Sequence, residues 1–138
     1  MRVGICHQVS LPGSWEDAIA TAATLEVDGI ELFVRPEDVP VFLESRDQAR
    51  ALADQAERAG LAIRSLCLIF SMRGPARLAD TSEAGRAEAV GQVAAALERC
   101  DDAGGKVVLV GGLPSADGAA GLDAYVRSLQ ELASPAEA

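Results

Sequence analysis

One phrase occurs three times in this chain, and it limits the folds open to it. A helix-like run ends in a glycine or a glycine pair, and a β-branched apolar run follows at once. The copies are ATLEVDGIELF (residues 23–33), ERAGLAIRSLCLIF (57–70) and DDAGGKVVLVGG (101–112). With the opening run MRVGICH, they make four strand–helix units in 138 residues. Consecutive βα units build parallel sheets through right-handed crossovers. Four such units are half of an eight-fold barrel.

Local signals place the elements. Ser14 before Trp15-Glu16-Asp17 is an N-cap with acids in the first turn, and Ile19, Ala22, Ala23 and Leu25 form the apolar face of helix 1. Strand 1 is Val3–His7. Strand 2 is Ile30–Val34, ended by Pro36. Residues 37–44 suit a short extra turn. Helix 2 runs from Asp47 to Arg58, with Gly60 as its C′ residue. Strand 3, Ala62–Phe70, is apolar on both faces apart from Arg64 and Ser65, as in a parallel sheet covered on its faces. Thr81 or Ser82 caps helix 3, which reaches Ala103 with a stripe of Ala87, Val90, Val93, Ala94 and Leu97. Strand 4 is Lys106–Val110 and helix 4 is Leu122–Leu132. One domain then covers 1–132, and 133–138 is a frayed tail. Two architectures stay open. One is a sequentially ordered sheet curling as half of a (βα)8 TIM barrel. The other is a small doubly wound flavodoxin-like sheet.

Composition excludes several function classes. The net charge of −9 disfavours a phosphate backbone, so nucleic acid is not an expected partner. No apolar run approaches the roughly 20 residues of a membrane span. No basic segment precedes an apolar one at the N-terminus, so no secretion signal is expected. Cys6, Cys67 and Cys100 are odd in number and widely spaced, which suits reduced thiols and a cytoplasmic location.

These residues resemble the N-terminal half of the xylose isomerase-like TIM barrels. That group holds sugar phosphate isomerases and epimerases and includes AP endonuclease family 2. The parallel covers about residues 2–112. Leu25-Glu-Val-Asp-Gly-Ile-Glu-Leu-Phe33 is similar to the family's strand 2, and Gly60–Ile69 to strand 3 of its ketose 3-epimerases. Asp80 with Glu83–Arg86 is similar to the opening of its helix 3, where Arg86 would brace the helix locally. Gly104–Gly112 is similar to its strand 4. The resemblance implies an isomerase or epimerase, or a lyase, acting on a small ketose, polyol or keto-sugar by proton abstraction next to a carbonyl. It also implies a divalent metal (Mn, Mg, Zn or Co). The family's ligands and its acid/base glutamates lie on strands 5 to 8, outside this sequence.

In a TIM barrel the active site lies at the C-terminal ends of the strands. By that rule His7 is a candidate catalytic residue, and Cys67, Arg35, Arg73 and Gly112 are the candidate substrate-binding ones; Glu31, a carboxylate between apolar neighbours inside strand 2, is the second catalytic candidate. Each has a plainer reading. His7 suits acid/base work near neutral pH, or a strand-end hydrogen bond to a loop. Glu31 suits a substrate hydroxyl, or an ion pair with Arg64 on the next strand, the better bet. Cys67 matches a position where ketose 3-epimerases place a small residue against the sugar, but reads equally well as a buried core thiol. Arg35 and Arg73 would clamp an anion or stand solvated. Gly111-Gly112, with Gly118 and Gly121, is a phosphate cradle before helix 4 or a plain loop. His7, Glu31 and Asp117 sit on different units, so no metal site is assigned.

A half-barrel leaves both edge strands unpaired and its inner face bare. The sequence is then a piece of a longer barrel or a half that pairs. The expected partners are a small carbohydrate and a closing half, from a second copy or a separate subunit. A non-catalytic assembly subunit that completes another chain's barrel is the alternative function.

Overall fold

The computed structural model describes residues 3–7, 13–69, 77–111 and 118–137. The elements are β1 (Gly4–Cys6), α1 (Trp15–Ala22), β2 (Gly29–Val34), α2 (Val39–Glu44), α3 (Arg46–Arg58), β3 (Ala62–Leu68), α4 (Glu83–Asp102), β4 (Val107–Val110) and α5 (Ala119–Glu137). The four strands form one parallel sheet in the order β1-β2-β3-β4.

Glycines explain the repeated phrase. Gly60 and Gly104 follow α3 and α4 with φ of 74° and 77°, the left-handed region where a side chain is disfavoured. Leu61 N–H then reaches back to Ala56 O, and Gly105 N–H to Cys100 O, each at 2.8 Å. The first copy is built differently. Glu26 takes the positive φ, 53°, and Gly29 serves packing instead. A Cβ on Gly29 would lie 2.6 Å from the Ala62 carbonyl oxygen and 2.8 Å from Arg64 Cγ. The backbone oxygen cannot swing aside. Gly29→Ala should therefore push β2 from β3 and cost about 1–3 kcal/mol, the usual range for overpacking. Thermal unfolding checks this, and an unchanged melting temperature contradicts it.

Serine caps start the helices as the sequence indicates. Ser14 Oγ accepts from Asp17 N–H while Asp17 accepts from Ser14 N–H, a complete capping box. Ser45 and Ser82 cap α3 and α4 through Gln48 N–H and Gly85 N–H. Three helices differ from expectation. Helix α1 ends at Ala22, and its buried face is Trp15, Ala18, Ile19 and Ala22, leaving Leu25 exposed beyond it. The deepest stripe of α4 is Arg86, Ala89, Val93, Ala96 and Cys100 rather than one on Ala87 and Val90. Helix α5 runs to Glu137 where the sequence reading stops helix 4 at Leu132. Leu132 is itself buried, so packing continues where the helix was expected to end.

The side chains show where the helices lie. Along β2, Ile30, Leu32 and Val34 are fully buried, and along β3 so are Leu66 and Leu68. They pack into one core with Ile19, Phe42, Leu52, Ala89 and Val93 from the helices. Each such side chain contributes roughly 1.5–3 kcal/mol by leaving water. The alternate residues, Glu31, Phe33, Ser65 and Cys67, are only half-buried, and Val107 and Leu109 on β4 are 54% and 45% exposed. Among the described residues, helices thus cover one face of the sheet and leave the other open. A doubly wound sheet is covered on both faces and reorders its strands. The sequential order and one-sided cover are those of half a TIM barrel.

The α4–α5 contact rests on Arg86. Its guanidinium is buried, pairs with Glu83 on its own helix and with Glu131 at 2.8 Å on α5. Ser128 Oγ beside it donates to the Leu78 carbonyl at 2.8 Å. The brace is therefore not only local, as the resemblance implied, but ties two helices together.

Candidate active site on the inner face of the sheet

Register brings the open-face residues into rows. Cys6 pairs with Glu31, Glu31 with Ser65, and Ser65 with Val107. One step toward the strand ends, Phe33 pairs with Cys67 and Cys67 with Leu109. Glu31 is the polar centre. Ser65 Oγ donates to its Oε2 at 2.7 Å, and Cys6 Sγ donates to its Oε1 at 3.4 Å. A carboxylate has about four lone-pair sites, so each oxygen keeps room for another donor. Phe33 and Leu109 add apolar surface beside it. Such a face can accept hydrogen bonds from hydroxyls while an apolar edge lies against carbon.

The expected Glu31–Arg64 ion pair is absent, and the reason is a bulge. Ile30 pairs with Ile63, but Glu31 pairs with Ser65, so Arg64 is an extra residue on β3. A bulge leaves that residue unpaired and shifts the next one into register. Arg64 is exposed, its stem lying against Gly29. Ser65, met in the sequence only as a polar interruption, takes its place.

His7 and Glu31 do not share a face. The His7 N–H donates to Glu31 O at 2.9 Å, which continues the ladder, but its side chain alternates to the side of Ile5 and Leu32. It is buried, with Nε2 3.3 Å from Gly13 O and an edge contact to Phe33. Its Nδ1 has no hydrogen-bond partner among the described residues. Burial lowers its pKa from 6.5, opposed by the Gly13 carbonyl. An unfolded His7 binds a proton more readily than the folded one. Stability carried by neutral His7 is complete above pH 6.5 and falls as pH drops below it. In urea melts at pH 7.5 and 5.5, His7→Gln should show a smaller acid loss than the wild type. An equal loss contradicts this.

The thiols are not nucleophiles here. Burial, then the hydrogen bond to Glu31, pushes Cys6 up to about 12. Burial and the Glu31 charge also raise Cys67. Both stay protonated at neutral pH, so Cys67 offers a small, weakly polar surface.

Arg35 closes the end of β2. Its guanidinium donates twice to Asp38, at 2.8 and 3.0 Å, and lies 3.3 Å from Glu37. Its charge is already engaged by this turn. Trp15 fixes the strand from the other side, its indole N–H donating to Phe33 O at 2.8 Å. Arg73 and Gly112 lie outside the described residues, as does Asp117. Sequence reasoning passed over Cys6, Ser65 and Phe33 as a set. The signal was alternation, since Phe33 is two residues from Glu31 and Ser65 two from Cys67.

Among the described residues, no group of three His, Cys, Asp or Glu side chains could hold a metal ion. The nearest approach on this face, Glu31 with two protonated thiols, is a poor donor set. The described residues therefore do not fit a divalent-metal centre of their own. No helix among them is long and apolar enough to cross a membrane.

A model of the xylose isomerase-like TIM barrel matches residues 19–138. The chain belongs to this family. No curated protein matches it significantly. Among solved structures it is similar to a 3-keto-D-glucoside 4-epimerase from E. coli, with 18% identity and a TM-score of 0.69 over 99% of this chain and 52% of that one. It is also similar to a D-psicose 3-epimerase crystallised in the presence of D-fructose, at 16% identity and a TM-score of 0.74, over 99% and 49%. A xylose isomerase domain protein from Planctomyces limnophilus follows at 18% and 0.66, over 98% and 49%. The chain spans about half the length of these structures.

Proposed function

We propose that this chain is the sugar-lining half of a xylose isomerase-like isomerase or epimerase. Its substrate is a small ketose, polyol or keto-sugar, and the reaction moves a proton on the carbon next to a carbonyl. The observation that carries this is the open inner-face row, with Glu31 accepting from Ser65 and Cys6 and keeping lone pairs free. Glu31 would take a substrate hydroxyl, with Phe33 and Cys67 against the carbon chain. His7 would position Phe33 from the opposite face, and Arg35 would hold the strand-end turn. Arg73 and Gly112 are proposed to border the mouth. The general base and any divalent metal would come from the half of the barrel that this chain does not supply. Two of the similar structures are sugar epimerases, which supports this reading.

The test is proton exchange. The chain, assembled with its closing half, is incubated with ketoses and keto-sugars in D2O with Mn2+ or Mg2+ added. Deuterium should enter at the carbon beside the carbonyl. Absence of exchange across the panel overturns the proposal.

A further inference from the structure

We infer that His7 is a proton-operated latch behind the inner face, holding the Phe33 ring in place when neutral and releasing it in mild acid. This rests on the proposal that Phe33 and Glu31 line the sugar surface. His7 meets both residues from the opposite side of the sheet. Its backbone N–H donates to the Glu31 carbonyl at 2.9 Å. Its ring meets the Phe33 ring edge-on, with centroids 6.5 Å apart and planes at 82°. A third contact fixes the tautomer. The Gly13 carbonyl, 3.3 Å from Nε2, can only accept, so Nε2 carries the proton and Nδ1 of neutral His7 is a bare acceptor. Nδ1 is buried without a partner among the described residues. Protonation turns it into a charged donor with nothing to receive its hydrogen, in a side chain only 1% exposed. The neighbouring charges do not rescue it. Arg35 opposes a charge on His7, and Asp38, which favours one, is already held by the Arg35 guanidinium at 2.8 and 3.0 Å. Asp17 at the start of α1 is engaged in the capping box, and the Glu31 carboxylate lies on the other face with Ser65 and Cys6. A cation–π contact with Phe33 offsets part of the cost but gives Nδ1–H no acceptor. The protonated ring therefore leaves its pocket, and the Phe33 ring loses its support. Trp15 still pins the Phe33 carbonyl, so the strand end stays and the change falls on the side chain. His7 is thus a positioning residue whose charge sets the shape of the sugar surface.

Two-dimensional NMR of the isotope-labelled chain tests this between pH 7.5 and 5.5, above the ordinary carboxylate range. His7 is the only histidine, so its Cε1 proton is unambiguous. The Phe33 ring and amide signals should titrate with the His7 midpoint, and those of Val93 and Ala96 on α4 should not. Ketose affinity should fall about two- to tenfold across the window, since a His7 midpoint below 6.5 limits the neutral fraction lost at pH 5.5. Saturating ketose should in turn lower that midpoint. His7→Gln keeps a donor for Gly13 and does not titrate, so it should flatten both profiles. The wild-type titration decides by itself if His7→Gln does not fold. Phe33 signals that ignore the His7 titration, or a His7→Gln chain that keeps the wild-type acid loss, overturn the inference. Equal ketose affinity at both pH values also overturns it and leaves the functional proposal standing. Phe33 signals that follow His7 in a chain that binds no ketose at either pH would do the reverse.

Discussion

Phe42→Ala should destabilise this protein by about 3–5 kcal/mol, the range for removing a buried phenylalanine. Phe42 sits on the short helix α2 and is fully buried. Its ring meets Trp15 edge-on, with centroids 5.2 Å apart and planes at 62°. The lost aromatic contact adds to the cavity left behind. The consequence reaches the inner face, because Trp15 also holds the Phe33 carbonyl. Equilibrium denaturation should show a lower midpoint. Amide exchange should speed at Phe33 and Val34 more than on α4. A loss below 1 kcal/mol, or exchange unchanged at Phe33, contradicts this account of the strand end.

The second large effect is at Glu31. Hydrogen bonds to charged groups are worth about 1.5–3 kcal/mol, and 1.4 kcal/mol is a factor of ten. Glu31→Gln should therefore weaken ketose binding about ten- to a hundredfold. It keeps the shape of the side chain but replaces one acceptor oxygen with a donor, so Ser65 or Cys6 loses its partner. Because Glu31 is only half-buried, the fold should survive, and the melting temperature should move by no more than a few degrees. Calorimetric titration of wild type and variant with the same ketose checks the prediction. Equal affinities would reduce Glu31 to a structural residue.

Much of the fold was legible because backbone chemistry repeats. Serine caps, a glycine after α3 and α4, and β-branched runs announced each unit. The strand order was not legible in periodicity alone; the resemblance to the barrel family pointed to the sequential sheet that the structure has. Nothing in the periodicity of Ile30–Val34 or Ala62–Leu68 tells whether one or both faces carry helices. That depends on which alternate residues are covered, a tertiary property. The same limit hid the row around Glu31. Arg64 and Ser65 are adjacent in sequence, and electrostatics alone favours the arginine as partner. A one-residue bulge between β2 and β3 reverses the choice. His7 was legible as a strand-end residue but not as one facing the helices, since strand phase is set by pairing with β2. The deepest stripe of α4 also turned on context. Arg86 goes inward because Glu131 and Ser128 of a distant helix receive it.

We propose that the open inner face of the sheet is the sugar-binding surface. The most direct measurement is a titration of the isotope-labelled chain with ketoses, followed by two-dimensional NMR. Shift changes should concentrate at Cys6, Glu31, Phe33, Ser65 and Cys67, with helix-facing Ile30, Leu32 and Leu66 moving less. Changes confined to the helical side, or none at saturating ketose, would contradict it.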